Sequence, residues 1–316
     1  MRTTKPWPAY LGIDKDEWAK RIEKARELLT ACTLCPRRCK ADRLSGEKGF
    51  CGAGAVAKVA SYNAHHGEEP PLSGSRGSGT IFFSHCNLRC VFCQNYPISH
   101  LGNGDEVEAG ELADMMVRLQ KRSCHNINFV TPTHMMPFIL EAMPIAIDRG
   151  LSLPLVYNCG GYESLHALKL LSGIVDIYMP DMKYNDNKSA SLISEAPDYA
   201  QRNRAAVKEM HRQVGDLVLD DNDIAMRGLL VRHLVLPKGH AGSTAVLEFL
   251  AEKISPHTAI SLMSQYFPAY KAFEFPDLER RPTRSEYGEA VDTLERLGLE
   301  QGWVQDPFYL GLPEDE

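Results

Sequence analysis

From residue 79 onward, short apolar segments alternate with longer amphipathic ones. Six of the apolar segments are rich in β-branched residues, which is typical of strands buried on both faces of a parallel sheet. We predict these strands at Thr80–Ser84, Ile127–Thr131, Leu155–Asn158, Val175–Met179, Leu230–Leu236 and Ala259–Gln265. In the intervening segments apolar residues recur at helical spacing, which predicts helices over Val107–Arg122, Thr133–Asp148, Ser164–Leu171, Ser189–Val214 and Ser243–Lys253.

The order of these elements predicts the fold class. Regular alternation of strand and helix predicts an α/β protein with a parallel sheet and right-handed crossovers. Each strand–helix unit takes roughly 31 residues, as in a closed (β/α)8 barrel, but six units are too few to close one. We therefore predict a partial (β/α)6 TIM-like barrel that is open on one side.

Segments on both sides of this core complete the predicted organisation. The domains are an N-terminal extension, the barrel core and a C-terminal helix with a tail, over residues 1–78, 79–270 and 271–316. Helices are predicted to begin at Asp14 and Thr283, because each is followed three residues later by a glutamate, as in a capping box. The tail is aromatic at Trp303 and Pro307-Phe308-Tyr309, so we expect it to pack on the open side of the barrel.

Within the N-terminal extension, residues 52–79 are polar and rich in glycine. We interpret them as a connecting loop. The histidines and glutamates of the run His65–Glu69 are either ordinary polar loop residues, metal ligands or a cover over a functional site.

Seven of the nine cysteines fall in two groups, which favours metal binding over disulfides. The first group holds four thiols, at Cys32, Cys35, Cys39 and Cys51. Four cysteines can close around a zinc ion or hold a fully ligated iron–sulfur cluster, and their spacing does not distinguish the two. Glycines on both sides of Cys51 allow the backbone to turn around a metal.

The second group, Cys86-Asn87-Leu88-Arg89-Cys90-Val91-Phe92-Cys93, directly follows the first predicted strand and holds only three thiols. A structural zinc site needs four protein ligands. Three cysteines can bind an iron–sulfur cubane that has one iron open to another molecule. The alternative is a zinc site completed by His85 or by a distant residue.

The composition fits a globular protein of 316 residues, with 44% hydrophobic and 24% charged residues. The formal net charge of −6 gives no electrostatic reason to expect binding to nucleic acid or to an anionic membrane. The sequence lacks an apolar run of about 18 residues that could span a membrane, and its start lacks the apolar core of a signal peptide. We expect a cytoplasmic protein with reduced cysteines.

Polar residues follow every predicted strand, at the end where barrel enzymes build their active sites. After the cysteine loop these segments are Thr131-Pro132-Thr133-His134, Asn158–Glu163, Asp181-Met182-Lys183-Tyr184, Arg232–His240 and Met263-Ser264-Gln265-Tyr266. Because parallel strands end on the same side of a sheet, we expect these segments to surround one site.

The Cys86-x3-Cys90-x2-Cys93 loop, with aromatic Phe92 before its last cysteine, resembles the cluster loop of the radical S-adenosylmethionine (SAM) enzymes. The resemblance implies a [4Fe-4S] cluster on Cys86, Cys90 and Cys93, with SAM chelated to the open iron and Phe92 near its adenine. It also implies reductive cleavage of SAM to methionine and a 5′-deoxyadenosyl radical, which abstracts a hydrogen atom.

Within that superfamily the chain resembles the glycyl-radical-enzyme activases, of which pyruvate formate-lyase activating enzyme is the type. The resemblance rests on the Asp181-x-Lys183 segment and on Cys32-x2-Cys35-Pro36-x2-Cys39. It implies that Asn158, Asp181 and Lys183 contact SAM. From the chemistry of their side chains and positions we also predict SAM contacts for Thr131, Thr133 and Arg232, and we place Asn95, which could brace the cluster loop, in the same site. The chain departs from many members after the second strand, where Thr131-Pro132-Thr133-His134 replaces a Gly-Gly-Glu segment that binds the amino group of SAM.

Each of these residues also has a simpler interpretation. Asp181 and Lys183 could form an ordinary ion pair, Arg232 a solvated charge, and Asn95 the cap of a turn. Cys159 is either an inert packed thiol or a hydrogen donor in the cavity.

The function implied by the resemblance is hydrogen abstraction, with a glycine of a partner enzyme as the first candidate substrate. Another peptide or a small molecule is the alternative within the same chemistry, and a non-catalytic iron–sulfur or zinc protein is the alternative outside it. The resemblance further implies an electron donor of the flavodoxin or ferredoxin type.

Overall fold

The computed structural model of the chain describes residues 7–305 and 312–314. The strands are β1 Ala57–His65, β2 Ser78–Phe83, β3 Asp105–Val107, β4 Ile127–Val130, β5 Leu155–Cys159, β6 Ile177–Pro180, β7 Val218–Leu219, β8 Ala225–Leu234, β9 Ala259–Met263 and β10 Gly302–Val304. The α-helices are α1 Lys15–Thr30, α2 Pro70–Ser73, α3 Tyr96–Ser99, α4 Ala109–Lys121, α5 Met136–Asp148, α6 Leu165–Leu170, α7 Asn187–Ser194, α8 Tyr199–Val214, α9 Ser243–Lys253 and α10 Arg284–Arg296.

The strands form one curved, mostly parallel sheet in the order β10-β9-β8-β6-β5-β4-β2-β1-β3, and β7 pairs with β8 beside this path. Every neighbouring pair from β2 to β10 is parallel, whereas β1 runs antiparallel to both β2 and β3. Across the described residues the path does not return from β10 to β3, so the barrel stays open. The predicted partial barrel is confirmed.

The core lies between the sheet and the helices that cover its outer face. Residues of β5, β6 and β9 are buried along their whole length, as expected for parallel strands covered on both sides. The apolar face of α1 contributes Trp18, Ala25 and Leu29 to this core, and Asp14 caps the helix by accepting from the Glu17 N–H at 2.8 Å.

One predicted helix is two helices in the structure. Residues 189–214 contain the end of α7 and the whole of α8, separated by a turn at Glu195 with a φ of +52°. Pro197 lies in this turn, and a proline disfavours helical backbone at the residue before it. The helix after β4 begins at Met136, three residues later than predicted, so Thr133 and His134 remain in the loop.

The segment interpreted as a connecting loop contains a long strand. β1 spans nine residues and alternates buried and less buried positions over its first half, which is the pattern of a strand with one covered face. It pairs with β2 along nearly its whole length, from Val59–Phe83 to His65–Ser78. The domain limits at residues 78 and 270 remain predictions.

At the other end of the chain, α10 begins with the expected capping box of Thr283 and Glu286. β10 follows and adds Trp303 to the sheet edge through parallel pairing with β9. Pro307-Phe308-Tyr309 lie outside the described residues. None of the helices that the structure describes has the length and apolar character needed to cross a membrane.

Candidate active site

A cavity of about 420 Å³ opens at the carboxyl ends of the parallel strands. Its volume is in the range of small-molecule sites. Ten of the residues singled out from the sequence line it together, namely Cys86, Cys90, Cys93, Asn95, Thr131, Asn158, Cys159, Asp181, Lys183 and Arg232. The expectation that the strand-end segments surround one site therefore agrees with their positions.

The cluster loop, Cys86–Cys93, leaves the end of β2 and is held by the last turn of α7. The Arg89 N–H donates to the Ser194 carbonyl at 3.1 Å, and the Val91 N–H donates to the Ile193 carbonyl at 2.9 Å. The carbonyls at the end of a helix have no partner within the helix. The loop uses them as acceptors, which fixes its backbone independently of any metal.

Each thiol of the cluster loop has a hydrogen-bonding neighbour. The Leu88 N–H donates to Cys86 Sγ at 3.4 Å, the Ser194 hydroxyl donates to Cys90 Sγ at 2.9 Å, and the Ser99 hydroxyl lies 3.1 Å from Cys93 Sγ. Donors of this kind stabilise sulfur ligands and tune the potential of an iron–sulfur cluster. The surroundings of all three sulfurs thus fit metal-bound thiolates.

Burial opposes the ionisation of free thiols in this position. It raises the pKa of Cys86 to about 12, and the neighbouring Cys90 raises it further. The nearby Lys183 ammonium acts in the opposite direction on Cys86 and Cys90. A metal would supply the remaining positive charge that keeps these sulfurs ionised.

A zinc ion and an iron–sulfur cluster make different demands on the three thiols. Three thiols leave a zinc ion one protein ligand short, whereas a cluster held by three thiols keeps one iron open. Among residues 7–305 and 312–314, no group of three or more His, Cys, Asp or Glu side chains is placed to hold a metal ion, and this applies to both cysteine groups.

Asp181 and Lys183 form a short ion pair on the cavity wall, with Lys183 Nζ 2.6 Å from Asp181 Oδ2. Burial alone would lower the pKa of Lys183, but the negative charges of Asp181 and of an ionised Cys90 outweigh it, so the pKa is raised. The Tyr199 hydroxyl donates to the Asp181 carbonyl at 3.0 Å and fixes the backbone of the pair. The Lys183 ammonium therefore stays charged beside the cluster loop.

Arg232 also lines the cavity, but it is surrounded by carboxylates. Its Nε lies 3.3 Å from Glu69 Oε1 and 3.8 Å from Asp181 Oδ1, and its Nη1 lies 3.7 Å from Glu68 Oε2. Burial raises the pKa of Glu68 to about 7. Arg232 is thus not a solvated charge, and one of its neighbours titrates near neutral pH.

Glu68 and Glu69 were not predicted as site residues from the sequence, although the His65–Glu69 run was noted. The only available signal was this polar run in a supposed loop. Pairing of β1 with β2 brings His65 and Glu68 to the cavity wall. No pattern in the local sequence predicts that pairing.

Thr131 has an unusual backbone at the cavity. Its φ is +59°, although it is β-branched and precedes a proline. Both features disfavour the left-handed region, so the conformation is strained. Its N–H donates to the Asn158 carbonyl at 2.8 Å, which helps to hold it there. Strained residues of this kind cluster at binding sites.

Two of the residues predicted to contact SAM, Thr133 and Phe92, are not among the residues that line the cavity. Thr133 is buried, and its hydroxyl donates to Glu163 Oε1 at 2.5 Å. Phe92 is also buried and packs edge-on against Tyr266, with 5.5 Å between ring centroids. Asn95 remains at the cavity, where its backbone carbonyl accepts from the N–H groups of Ile98 and Ser99 in α3.

Glu163, the last residue of the predicted strand-end segment Asn158–Glu163, forms a buried polar cluster that was not predicted from the sequence. Its carboxyl group accepts from the hydroxyls of Thr133 and Tyr157 and lies beside the Cys159 thiol. Burial raises the pKa of Glu163 to about 7. Cys159 itself is 2% exposed, and burial raises its pKa well above the usual value.

The four cysteines of the N-terminal group, which we call the four-cysteine segment, Cys32–Cys51, lie close to the cluster loop. Cys32, Cys35 and Cys51 are buried, whereas Cys39 is exposed. Gly49 packs so tightly that a Cβ atom there would lie 2.3 Å from Cys39 Sγ. The metal site remains a prediction.

Comparison with known proteins identifies relatives of the chain. No family model matches the sequence. It is 30% identical over 293 residues to the uncharacterized protein MJ0674 of Methanocaldococcus jannaschii, covering 89% of this chain and 79% of that protein. A second uncharacterized protein of the same organism, MJ0808, is 28% identical over 182 residues, which is 52% of each chain.

Solved structures show the same fold. The FeFe-hydrogenase maturase HydG from Carboxydothermus hydrogenoformans superimposes with a TM-score of 0.50 and 11% identity, over 73% of this chain. The match spans about half of HydG, 54% of its chain, and it concerns the fold alone. The chain belongs to the same protein family as MJ0674, and its partial barrel is the fold of the radical SAM enzymes.

Proposed function

We propose that the protein is a radical SAM enzyme that holds a [4Fe-4S] cluster on Cys86, Cys90 and Cys93. The observation that carries the proposal is one cavity lined by three thiols and by the Asp181–Lys183 pair. Three thiols leave one iron without a protein ligand. The charged pair beside them is suited to a small zwitterion such as SAM.

When bound at Cys86, Cys90 and Cys93, the cluster would pass an electron from an external reductant to SAM, and the reductive cleavage of SAM would supply a radical able to abstract hydrogen from the substrate. The chain's contribution is to bind and orient. Hydrogen bonds from Ser194 and from the Leu88 N–H stabilise negative charge on the sulfurs.

We assign SAM contacts to the residues that line the cavity. Asp181 is suited to the ribose hydroxyls and Lys183 to the carboxylate, because a carboxylate accepts and an ammonium donates. The Asn158 amide and the strained Thr131 backbone can accept from the amino group of SAM. Arg232 is shared with Glu68 and Glu69, so it contributes to the SAM carboxylate less than a free guanidinium would.

Thr133 and Phe92 have indirect roles in this proposal. Thr133 positions the buried Glu163 through a hydrogen bond, and Phe92 anchors the cluster loop by packing against Tyr266.

We further propose that the substrate is a glycine of a partner polypeptide. The support is the likeness of the Asp181-x-Lys183 segment and of the four-cysteine segment to glycyl-radical activases. A second metal, zinc or an iron–sulfur cluster, bound by Cys32, Cys35, Cys39 and Cys51 is part of the same proposal, as is electron supply by a flavodoxin- or ferredoxin-like protein.

The test of SAM cleavage is anaerobic reconstitution with iron and sulfide, followed by dithionite and SAM. We expect 5′-deoxyadenosine from the wild type and none from Cys90→Ala. Cys124→Ala is the matched control, since Cys124 is equally buried but lies outside the cavity, and it should keep the activity. A fully loaded, reducible cluster that yields no 5′-deoxyadenosine would instead identify a non-catalytic iron–sulfur protein.

A further inference from the structure

The side chain of Arg37, in the four-cysteine segment, reaches the cluster loop and the helix behind it. Its Nε donates to the Asn87 carbonyl at 3.0 Å, its Nη2 donates to the Ser194 carbonyl at 3.4 Å, and its Nη1 donates to the Glu195 carbonyl. Asn87 belongs to the cluster loop, and the Ser194 hydroxyl donates to Cys90 Sγ. One guanidinium thus joins both cysteine groups.

A second contact runs in the opposite direction through Phe50. The Arg89 side chain of the cluster loop donates through Nη2 to the Phe50 carbonyl at 2.7 Å. The Phe50 ring contacts both arginines, with its centroid 3.6 Å from the Arg37 guanidinium carbon and 5.0 Å from that of Arg89. Cation–π contacts stabilise such an arrangement when they are partly buried. Each segment therefore contributes an arginine side chain that binds the other: Arg37 reaches the cluster loop, and Arg89 reaches the four-cysteine segment.

The position of Arg37 depends on the fold of the segment that carries it. Arg37 lies between Cys35 and Cys39 in a tight turn closed by the Arg38 N–H and the Cys35 carbonyl, at 3.1 Å. A short cysteine-rich segment gains much of its order from its metal. A metal that holds the four cysteines in place would therefore also hold the Arg37 guanidinium in place.

We propose that Arg37 is a positioning residue through which metal binding in the four-cysteine segment holds the cluster loop in its metal-binding shape. This bracing, by which we mean the contact of Arg37 with the cluster loop and the end of α7, does not depend on SAM chemistry. Only the identity of the group bound at Cys86, Cys90 and Cys93 rests on the proposed function.

Arg37 also brings a positive charge to the cluster loop. All three of its hydrogen bonds end on carbonyl oxygens, which carry no formal charge. Reduction adds negative charge to an iron–sulfur cluster, so a cation nearby raises its reduction potential. Arg37 therefore acts on the cluster in two separable ways, by geometry and by charge.

Hydrogen exchange of the metal-loaded, full-length protein tests the geometry. The amides of Arg89 and Val91 report on the cluster loop, because they bond to the end of α7. We expect several-fold faster exchange there in both Arg37→Gln and Arg37→Lys, since a lysine cannot span three carbonyls. Arg38→Gln is the matched control, because the Arg38 side chain faces a different pocket with His166 and Lys169.

Reduction potentials test the charge and would not respond to a purely structural role. The potential of the cluster whose EPR signal changes on addition of SAM should fall in Arg37→Gln and stay near the wild-type value in Arg37→Lys. An equal shift in both variants would show that charge has no part.

A double-mutant cycle tests the link to the metal. Cys39→Ser removes the exposed ligand and should itself speed exchange at Arg89 and Val91, and adding Arg37→Gln should have little further effect. Additive effects, or wild-type exchange in a stably folded Arg37→Gln protein, overturn the inference. If the loaded enzyme forms no 5′-deoxyadenosine while exchange behaves as expected, the proposed function fails and the bracing stands.

Discussion

At the scale of single residues, the candidate site is marked by strain as well as by chemistry. Thr131 lines the cavity with a φ of +59°, and a conformation of this kind costs on the order of 1–2 kcal/mol in a β-branched residue. The hydrogen bond to the Asn158 carbonyl holds it in place against the preference of a residue before proline. We interpret the strain as the consequence of directing this backbone toward a ligand.

Replacing Thr131 with glycine should leave the stability of the protein unchanged or higher while it lowers the affinity for SAM. Glycine adopts positive φ without strain, so Thr131→Gly should keep or raise the free energy of unfolding, by up to about 1 kcal/mol. The affinity for SAM, measured by isothermal titration calorimetry, should fall because the variant loses the hydroxyl and its fixed backbone. Asp223→Gly is the control, since Asp223 has the same φ of +59° in an exposed turn, and equal losses of affinity would contradict the interpretation.

Glu68 gives the site a dependence on pH. Burial raises its pKa to about 7, and it lies next to Arg232, Glu69 and Asp181. Below pH 7 the protonated form leaves Arg232 with two carboxylate neighbours. Above it a third negative charge is added, and the cation becomes less available to an anionic ligand.

We therefore expect the affinity for SAM to be lower at pH 8 than at pH 6. In Glu68→Gln the difference should shrink, because glutamine stays neutral at both values. Calorimetry on both proteins gives the comparison, and the titration of SAM itself cancels between them. The same pH dependence in the variant would exclude Glu68 as its source.

At the scale of elements, the end of α7 organises the cluster loop. Its last carbonyls accept from Arg89, Val91 and Arg37, so the helix has to stop where it does. It stops at Glu195, whose φ of +52° closes the helix, and Pro197 follows. A helix that continued through this point would use those carbonyls internally.

Glu195→Gly should stabilise the protein by about 0.5–1 kcal/mol, because glycine is favoured in the left-handed residue that ends a helix. Glu195→Ala keeps the backbone strain and should give no gain. Chemical denaturation of both variants against the wild type measures the difference. A gain in the alanine variant would point to the side chain of Glu195 instead of its backbone.

What the sequence could predict depended on whether a signal was local. Six of the seven parallel strands described were predictable because each contains a continuous apolar run, and Cys86–Cys93 because its spacing is self-contained. The division between α7 and α8 was missed because the apolar spacing continues across Pro197. Glu68 and Glu163 were predicted only as members of the segments His65–Glu69 and Asn158–Glu163, because their individual contacts depend on tertiary packing.

At the scale of the whole molecule, the segment before α1 covers the end of the barrel that lies opposite the cavity. Asp176 accepts from the N–H groups of Ala9 and Leu155, each at 3.0 Å, and the Tyr10 hydroxyl donates to the Leu153 carbonyl at 2.9 Å. Burial raises the pKa of Asp176 to about 6. The Asp176 carboxyl group therefore binds its proton more tightly in the folded protein than in the unfolded chain.

The free energy of unfolding should respond to pH accordingly. Between about pH 4 and 6 the folded state holds the Asp176 proton more tightly than the unfolded chain does, so stability falls as pH rises, by about 3 kcal/mol from this group. Asp176→Asn should be less stable at pH 4, because its amide has one oxygen for two N–H donors, and the gap to the wild type should narrow by pH 6. Urea denaturation across this range measures it, and a constant gap would contradict the assignment.

An open barrel also has consequences for the behaviour of many molecules together. Sheet edges present unpaired backbone groups that recruit other chains into aggregates, and a closed barrel has none. Here the two terminal strands, β3 and β10, are only three residues long. β3 carries exposed Asp105 and Glu106, which repel a second copy of the same edge. The fold thereby keeps an accessible opening in its barrel while offering neighbouring molecules little backbone on which to polymerise.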